Sequence, residues 1–374
     1  MVLGCLLYPP AGAGAQSTGP RFTHLTAEQG LSHEHVFAIL QDRQGFIWIG
    51  TQDGLDRFDG YSMTVFRHRP SDPHSLAGNT ITALLEDSSG VIWVGTPDGL
   101  DSFSPDSAQA AAEGPAHILE GPPAGGANQV VHYEAITEQV NVLFEAHDGA
   151  VWIGTSGKGL YRYDRKTESF RSFQHDPQDS GSLADDLVTA LWEDRRGTMW
   201  IGTATQGIDA LEGGNRPFLH HHNDPSDPGS LSDNQVMSVC EDRTGVLWVG
   251  TGAANEPEGG GLNAYDRSSG RFTRYLRDAT YPQSLSSNNV TAIHEDRTGT
   301  LWLGTDGGLT TLDPSRRLFT RHASSPLETT TLAGSHVTTI FEDRSGVVWI
   351  GTEEGGVNKY APAKDRFERI VPDP

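Results

Sequence analysis

Cysteine is nearly absent from this chain of 374 residues: it has two, Cys5 and Cys240. That excludes a disulfide framework, and thiols say nothing about compartment. No stretch approaches the ~20 apolar residues that cross a bilayer as a helix, so the chain is not expected to span a membrane. No segment shows a convincing helical period. Positive charge is scarce, with 27 Lys and Arg against 49 Asp and Glu, a net charge of -22. Such a surface repels phosphate backbones and anionic lipid, which sets the chain against nucleic acid and membrane surfaces. It tolerates cations, neutral sugars or basic peptides without selecting among them. His-Glu-x-x-His, Gly-x-Ser-x-Gly and the Walker loop are all missing, so no cofactor and no enzyme class is indicated.

The opening residues carry a compartment signal. Val2 to Tyr8 is mostly apolar, and Ala13-Gly14-Ala15 has the form of a signal-peptidase site. A basic start is lacking. Residues 1–19 therefore read as a truncated signal peptide or a disordered leader, with export to the periplasm or the medium.

Glycine is abundant, at 44 residues, beside 21 prolines. The chain length exceeds what one hydrophobic core normally fills, which directs attention to repeats. Trp-x-Gly-Thr occurs seven times, at Trp48, Trp93, Trp152, Trp200, Trp248, Trp302 and Trp349, with 45 to 59 residues between successive copies. Each unit contains four short β-rich runs separated by turn residues. In the sixth unit these are Val290 to Glu295, Thr300 to Thr305, Gly308 to Leu312 and Leu318 to Arg321. Runs of 4–7 residues have the length of strands. The pattern predicts an all-β chain: a single seven-bladed β-propeller of four-stranded antiparallel blades over residues 20–374. The first run of each unit is apolar almost throughout, which predicts a strand buried on both faces. The repeated Trp is expected to wedge neighbouring blades together.

The turns have their own logic. Asp296-Arg297-Thr298-Gly299 joins the first and second runs, where Asp can accept turn amides and Gly can take positive φ. The third unit departs, reading Glu145-Ala146-His147-Asp148-Gly149. A calcium loop would need alternating carboxylates, and only the first is present. Residues 104–130, rich in Ala, Gly and Pro, read as a disordered insertion, and Gly252 to Gly260 enlarges one turn. Both Arg21 to Thr26 and Arg366 to Ile370 look like an outermost strand. The N-terminal one is expected to close the ring, and the surplus to lead towards a further domain.

These units resemble the two-component regulator propeller repeat. Its lead appears at Ser75-Leu76-Ala77-Gly78-Asn79, Ser230-Leu231-Ser232-Asp233-Asn234 and Ser284-Leu285-Ser286-Ser287-Asn288. The lead is followed by runs such as Val290-Thr-Ala-Ile-His-Glu-Asp296 and Leu301-Trp-Leu-Gly-Thr305. The resemblance implies the periplasmic sensing ring of a hybrid sensor histidine kinase. The expected partners are a small-molecule or oligosaccharide ligand and, in the same pathway, a sensor kinase or second propeller. A propeller enzyme, such as a polysaccharide or glycopeptide lyase or hydrolase, and a protein-interaction scaffold are the alternatives.

Ligands of such rings sit over one mouth, where the loops after the second and fourth strands meet. Those after the second strand supply Gln52, Asp53, Asp98, Lys158, Gln206, Glu256, Asp306 and Glu353, predicted to form an acidic, polar rim suited to sugars or cations. Other candidates carry plainer readings. His220-His221-His222 reads as a solvated edge rather than a metal site, and Cys240 and His294 read as packing near the axis.

Overall fold

All seven repeat tryptophans are at most 4% exposed, and each packs into the apolar face of the blade that follows it. Trp48 lies among Ile81, Ile92 and Val94 of the second blade, and Trp302 among Val337, Val348 and Ile350 of the seventh. Trp349 lies among Val36, Ile47 and Ile49 of the first. Seven hydrophobic clusters are thus seven blade interfaces, and the last one shuts the ring. Gly two residues after each Trp permits this approach: a Cβ on Gly304 would stand 2.6 Å from Val337 Cγ1.

The computed structural model describes residues 22–105, 130–213, 217–252, 259–325 and 331–360. Within them lie seven four-stranded antiparallel sheets. The first blade is β2 (Val36–Gln41), β3 (Ile47–Thr51), β4 (Gly54–Phe58) and β5 (Met63–Phe66), from the axis outward. The innermost strands of the next five blades are β6 (Ala83–Glu86), β10 (Val140–Glu145), β14 (Val188–Glu193), β18 (Val236–Glu241) and β22 (Val290–Glu295). The last blade comprises β26 (Val337–Glu342), β27 (Val348–Thr352), β28 (Val357–Tyr360) and, outermost, β1 (Phe22–Leu25). Phe22 pairs with Tyr360 and Leu25 with Val357. The N-terminal strand therefore closes the ring, as its sequence suggested. Residues 1–19, most of the 104–130 insertion and Arg366 to Ile370 lie outside the described residues.

One expectation is corrected. Apart from β18, the innermost strands are only intermittently buried, as in β2, where Val36 and Ile39 are buried and their neighbours are half-buried. The second strands, such as β3 and β27, are buried at every position. The innermost strand borders the open axis. The second has a strand on each edge and a blade on each face.

The triplet Glu-Asp-Arg between first and second strands performs three tasks. Asp296 Oδ1 accepts the N–H groups of Thr298 and Thr300, and its Oδ2 accepts the indole N–H of Trp302 at 2.8 Å. The same carboxylate–indole bond recurs at Asp42, Asp87, Asp194, Asp242 and Asp343. Arg243 N–H and its guanidinium reach Glu295 of the next blade, and Arg297 does the same with Glu342. Arg344 N–H donates to Gln41 Oε1 across the closure at 2.9 Å. The turns are structural, as expected. The fixed six-residue offset from Asp to Trp was the unread signal for the indole bond.

Candidate functional site

The two mouths of the ring differ in how much of their chemistry is engaged. On the lower mouth, the clamps run from blade to blade: Arg43 to Glu86, Ser88 to Glu145, His147 to Glu193 and Arg195 to Glu241, then the pairs above. Carboxylates there meet donors of the preceding blade.

On the upper mouth a backbone rung recurs in five of the blades, while the second has Pro97 at the donor position and no N–H to give. The residue after Trp-x-Gly-Thr donates its N–H to the carbonyl of the residue before the innermost strand. Gln52 bonds His35, Ser156 bonds Gln139, Ala204 bonds Leu187, Gly252 bonds Gln235 and Glu353 bonds His336, at 2.9 to 3.1 Å. Asp306 and Asn289 hold the same positions in the sixth blade, flanking the Val290–Thr305 pair. The rungs extend the innermost ladder by one residue pair at this mouth. Thr itself closes the turn behind them, as Thr352 Oγ1 does by donating to Gly356 O at 3.0 Å.

This register sorts the predicted rim. Gln52, Asp306 and Glu353 occupy rung positions. Asp53, Asp98, Lys158 and Gln206 lie further along their turns. Asp53 is held by Arg67 at 3.0 Å and by Asn79 at 3.3 Å. The backbones of Asp98, Lys158 and Gln206 donate to the turn threonines Thr96, Thr155 and Thr203. Glu256 lies outside the described residues.

The seam between the seventh and first blades gathers residues that sequence reading missed. Glu353 Oε2 meets His336 Nδ1 at 2.7 Å. Gly356 N–H donates to Glu34 O, which joins the two blades. His35 N–H donates to His33 Nδ1, and the His35 ring stacks on Phe37 with centroids 4.2 Å apart. Burial lowers the pKa of His35, Glu353 opposes this, and His33 and His336 reinforce it. His35 therefore lies within electrostatic reach of three ionisable groups at the seam. The available signal was positional: His35 and His336 both directly precede the valine that starts an innermost strand.

The remaining candidates resolve otherwise. The three-histidine run is a solvated edge at His220 and His222, as expected, and departs from that reading at His221. His220 Nδ1 bonds the buried Asp209 at 2.7 Å, and its Nε2 meets Ser180 O. His221 is packed against Trp200, Tyr265 and Phe272, and burial lowers its pKa. Alternation along the strand turns one ring outward and the next inward. Cys240 is buried, and burial pushes its thiol up to about 12. Burial likewise depresses the His294 imidazole. Among the described residues, no group of three His, Cys, Asp or Glu could hold a metal, and no helix is long and apolar enough to cross a membrane.

Comparison with known proteins follows the same lines. Residues 30–53, 75–98, 230–253, 284–307 and 331–354 match the family described as "Two component regulator propeller". Histidine kinase P4 of Formosa agariphila is 40% identical over 63 residues, which cover 17% of this chain and 5% of that protein. Among solved structures, the extracellular domain of a putative hybrid two component system from B. thetaiotaomicron superposes with a TM-score of 0.71. Its identity is 23%, over 92% of this chain and 42% of that one. Virginiamycin B lyase from Staphylococcus aureus gives 0.61 at 12% identity, over 91% of this chain and 98% of that one. The chain thus spans less than half of the two-component structure it matches.

Proposed function

From a chain that carries the two component regulator propeller repeat on a closed seven-bladed ring, we propose an extracytoplasmic sensor domain. It binds a small molecule, with carbohydrate as the favoured class, and passes occupancy to a signalling partner. The observation that carries this reading is the contrast between mouths. The lower rim is closed by blade-to-blade clamps. The upper rim presents Gln52, Asp306, Glu353, His336 and His35 at the axis.

The wider structural family gives the site its setting. The similar structures are extracellular domains of a putative hybrid two component system and a putative one component system of B. thetaiotaomicron. Transfer of that setting to this chain agrees with the leader-like residues 1–19. A second reading, a propeller enzyme, draws on the His336–Glu353 pair, because a carboxylate that orients an imidazole suits proton transfer.

A thermal-shift screen of the purified chain against oligosaccharides, amino acids, short peptides and divalent cations tests the proposal. A selective ligand raises Tm in proportion to its occupancy of the native state. No shift from any class sinks the sensor reading. Turnover of a shifting saccharide, lost in His336→Gln, moves the assignment to the enzyme.

A further inference from the structure

Four of the connections that enter innermost strands run as straps along the outer part of the blade they enter. They are residues 68–76, 175–183, 223–231 and 277–285, leading into the second, fourth, fifth and sixth blades. A serine knits each one: Ser75, Ser182, Ser230 and Ser284 place Oγ within hydrogen-bond reach of a carbonyl six residues back in the strap. Gly181 O and Gly229 O accept Phe218 N–H and Phe272 N–H from the outer edges of the fourth and fifth blades. A covered edge is closed to pairing with another strand.

One residue of each outermost strand pins its strap, at a fixed register. His132 of β9 (Val131–His132) stands opposite Asp101, and His220 of β17 (Leu219–His221) opposite Asp209. Arg274 of β21 (Arg271–Tyr275) stands opposite Asn263, and Arg321 of β25 (Leu318–His322) opposite Thr310. The arginines donate to strap carbonyls, Arg274 to Ser230 O at 2.9 Å and Arg321 to Ser284 O at 2.8 Å. The histidines divide their two nitrogens. Nε2 of His132 meets Pro73 O in its strap and Nε2 of His220 meets Ser180 O, both at 2.9 Å. Nδ1 meets the buried carboxylate, Asp101 at 2.6 Å and Asp209 at 2.7 Å. The titratable pins thus stand on carboxylates, and the permanent cations on neutral residues. In the seventh blade His24 stands opposite the neutral Asn358, and part of that connection lies outside the described residues.

A carbonyl only accepts, so Nε2 of each histidine carries hydrogen. An ionised carboxylate also only accepts, and its other oxygen is already taken by Ala77 N–H or Ala184 N–H. Neutral imidazole has one N–H for these two acceptors. Each His–Asp pair therefore holds one proton more than a neutral imidazole and a carboxylate hold between them. When that proton leaves, one bond is given up. The buried carboxylate is the stronger acceptor, so Nδ1–H stays with it and the strap carbonyl loses its donor.

We propose that His132 and His220 are proton-held latches: with the proton they pin the straps of the second and fourth blades, and without it they free them and uncover the outer edges of β9 and β17. Arg274 and Arg321 keep their charge and hold the other two straps shut. The surroundings keep the proton in place near neutrality. Burial works to lower the His220 pKa, but Asp209 and Ser180 O outweigh it and raise it above the ordinary 6.5. Burial raises Asp101 and Asp209, against their hydrogen bonds. Asp185 also faces Asp209, His68 also faces Asp101, and His221 adjoins His220. A group whose pKa is raised by folding stabilises below its unfolded value and loses that stability as pH climbs through the folded one. Release therefore comes on the alkaline side of 6.5.

Hydrogen exchange of the full chain tests this, read by mass spectrometry as protection factors corrected for the intrinsic rate at each pH. From about pH 5.5 to about pH 9, protection at 68–76 and 175–183 should fall at least about tenfold, while 223–231 and 277–285 stay within about twofold. Asp209→Asn offers Nδ1 a donor and still accepts Ala184 N–H, so neutral His220 keeps its strap bond. In that variant 175–183 should hold its acid-side protection to about pH 9, while 68–76 still opens. Asp101→Asn should do the reverse. A fall that persists at the strap of either variant overturns the latch. So do equal falls at all four straps, or no fall at the histidine straps of the wild-type chain. Loss of protection at every pH in both variants makes the carboxylates plain anchors and overturns it as well.

Discussion

The third blade and its sisters reach the same geometry with different chemistry. In the sixth, Asp296 caps the turn and holds Trp302 through its indole nitrogen. In the third, Ala146 occupies the aspartate's place, yet the turn closes identically, with Ala146 N–H to Ala150 O and Gly149 N–H to Ala146 O at 2.9 Å. Asp148, two residues on, caps Ala150 N–H and binds Arg162, whose guanidinium lies 5.9 Å from the Trp152 ring centre. Trp152 remains 4% exposed. Packing places the indole, and the carboxylate reinforces a position already set.

The largest effect should therefore follow the ring itself rather than its hydrogen bond. Trp302→Ala and Trp152→Ala should each cost about 3–5 kcal/mol, read as the shift in a urea midpoint, because each opens a cavity between two blades. If Trp152→Ala proves nearly silent while Trp302→Ala is severe, the carboxylate and not the packing carries the blade interface.

A second contrast concerns the third strands, where a buried polar residue anchors the loop that enters each innermost strand. Asn263 does this in the fifth blade: its Oδ1 accepts Ser232 N–H and its Nδ2 donates to Val249 O. Asp101 and Asp209 are completed by His132 and His220. Asp56 has neither. Its Oδ2 accepts from Ser32, while its buried Oδ1 has no partner among the described residues. It sits opposite Ile49, in the register where Asn263 sits opposite Val249. Burial raises its pKa to about 7, against the Ser32 hydrogen bonds. The unfolded chain ionises near the ordinary 3.8. Stability from this site is thus retained below that value, falls as pH rises to about 7, and is then flat. The full loss is at most about 4 kcal/mol. Asp56→Asn should remove the dependence, so that its advantage over wild type grows from pH 4 to pH 7. Parallel stability–pH curves would refute the buried, unpaired acid.

How far the sequence reveals this molecule follows from what repeats. The blades, the tryptophan wedge, the Asp turns and the closing strand were legible, because seven copies of one pattern amplify each signal. The burial of the innermost strand was misjudged because apolar runs alone do not say which strand borders the axis. The rim was half legible. Turn residues such as Asp53 and Lys158 look identical in sequence to rung residues such as Glu353, and only the register separates them. His33, His35, Phe37 and His336 escaped notice because they are departures from the repeat, and departures look like noise until the ring shows that they are adjacent.

The smallest expected effect tests whether the blades are interchangeable parts. Asp296→Ala should cost about 2 kcal/mol, since it strips the indole bond and leaves a buried N–H unpaired. Ala146→Asp should return less, about 1 kcal/mol, because Asp148 and Glu145 already place negative charge beside the new carboxylate. A gain in the urea midpoint, with Trp152 emission altered by a new bond to its indole, would show that the third blade keeps the sister geometry with one group missing. A loss would show something else. The turn would then have been rebuilt around Asp148 and Arg162, with its old position no longer open to a carboxylate. In a ring where each unit touches only its neighbours, such a rebuilt blade stays local. That is how one blade can abandon the pattern while the other six keep it.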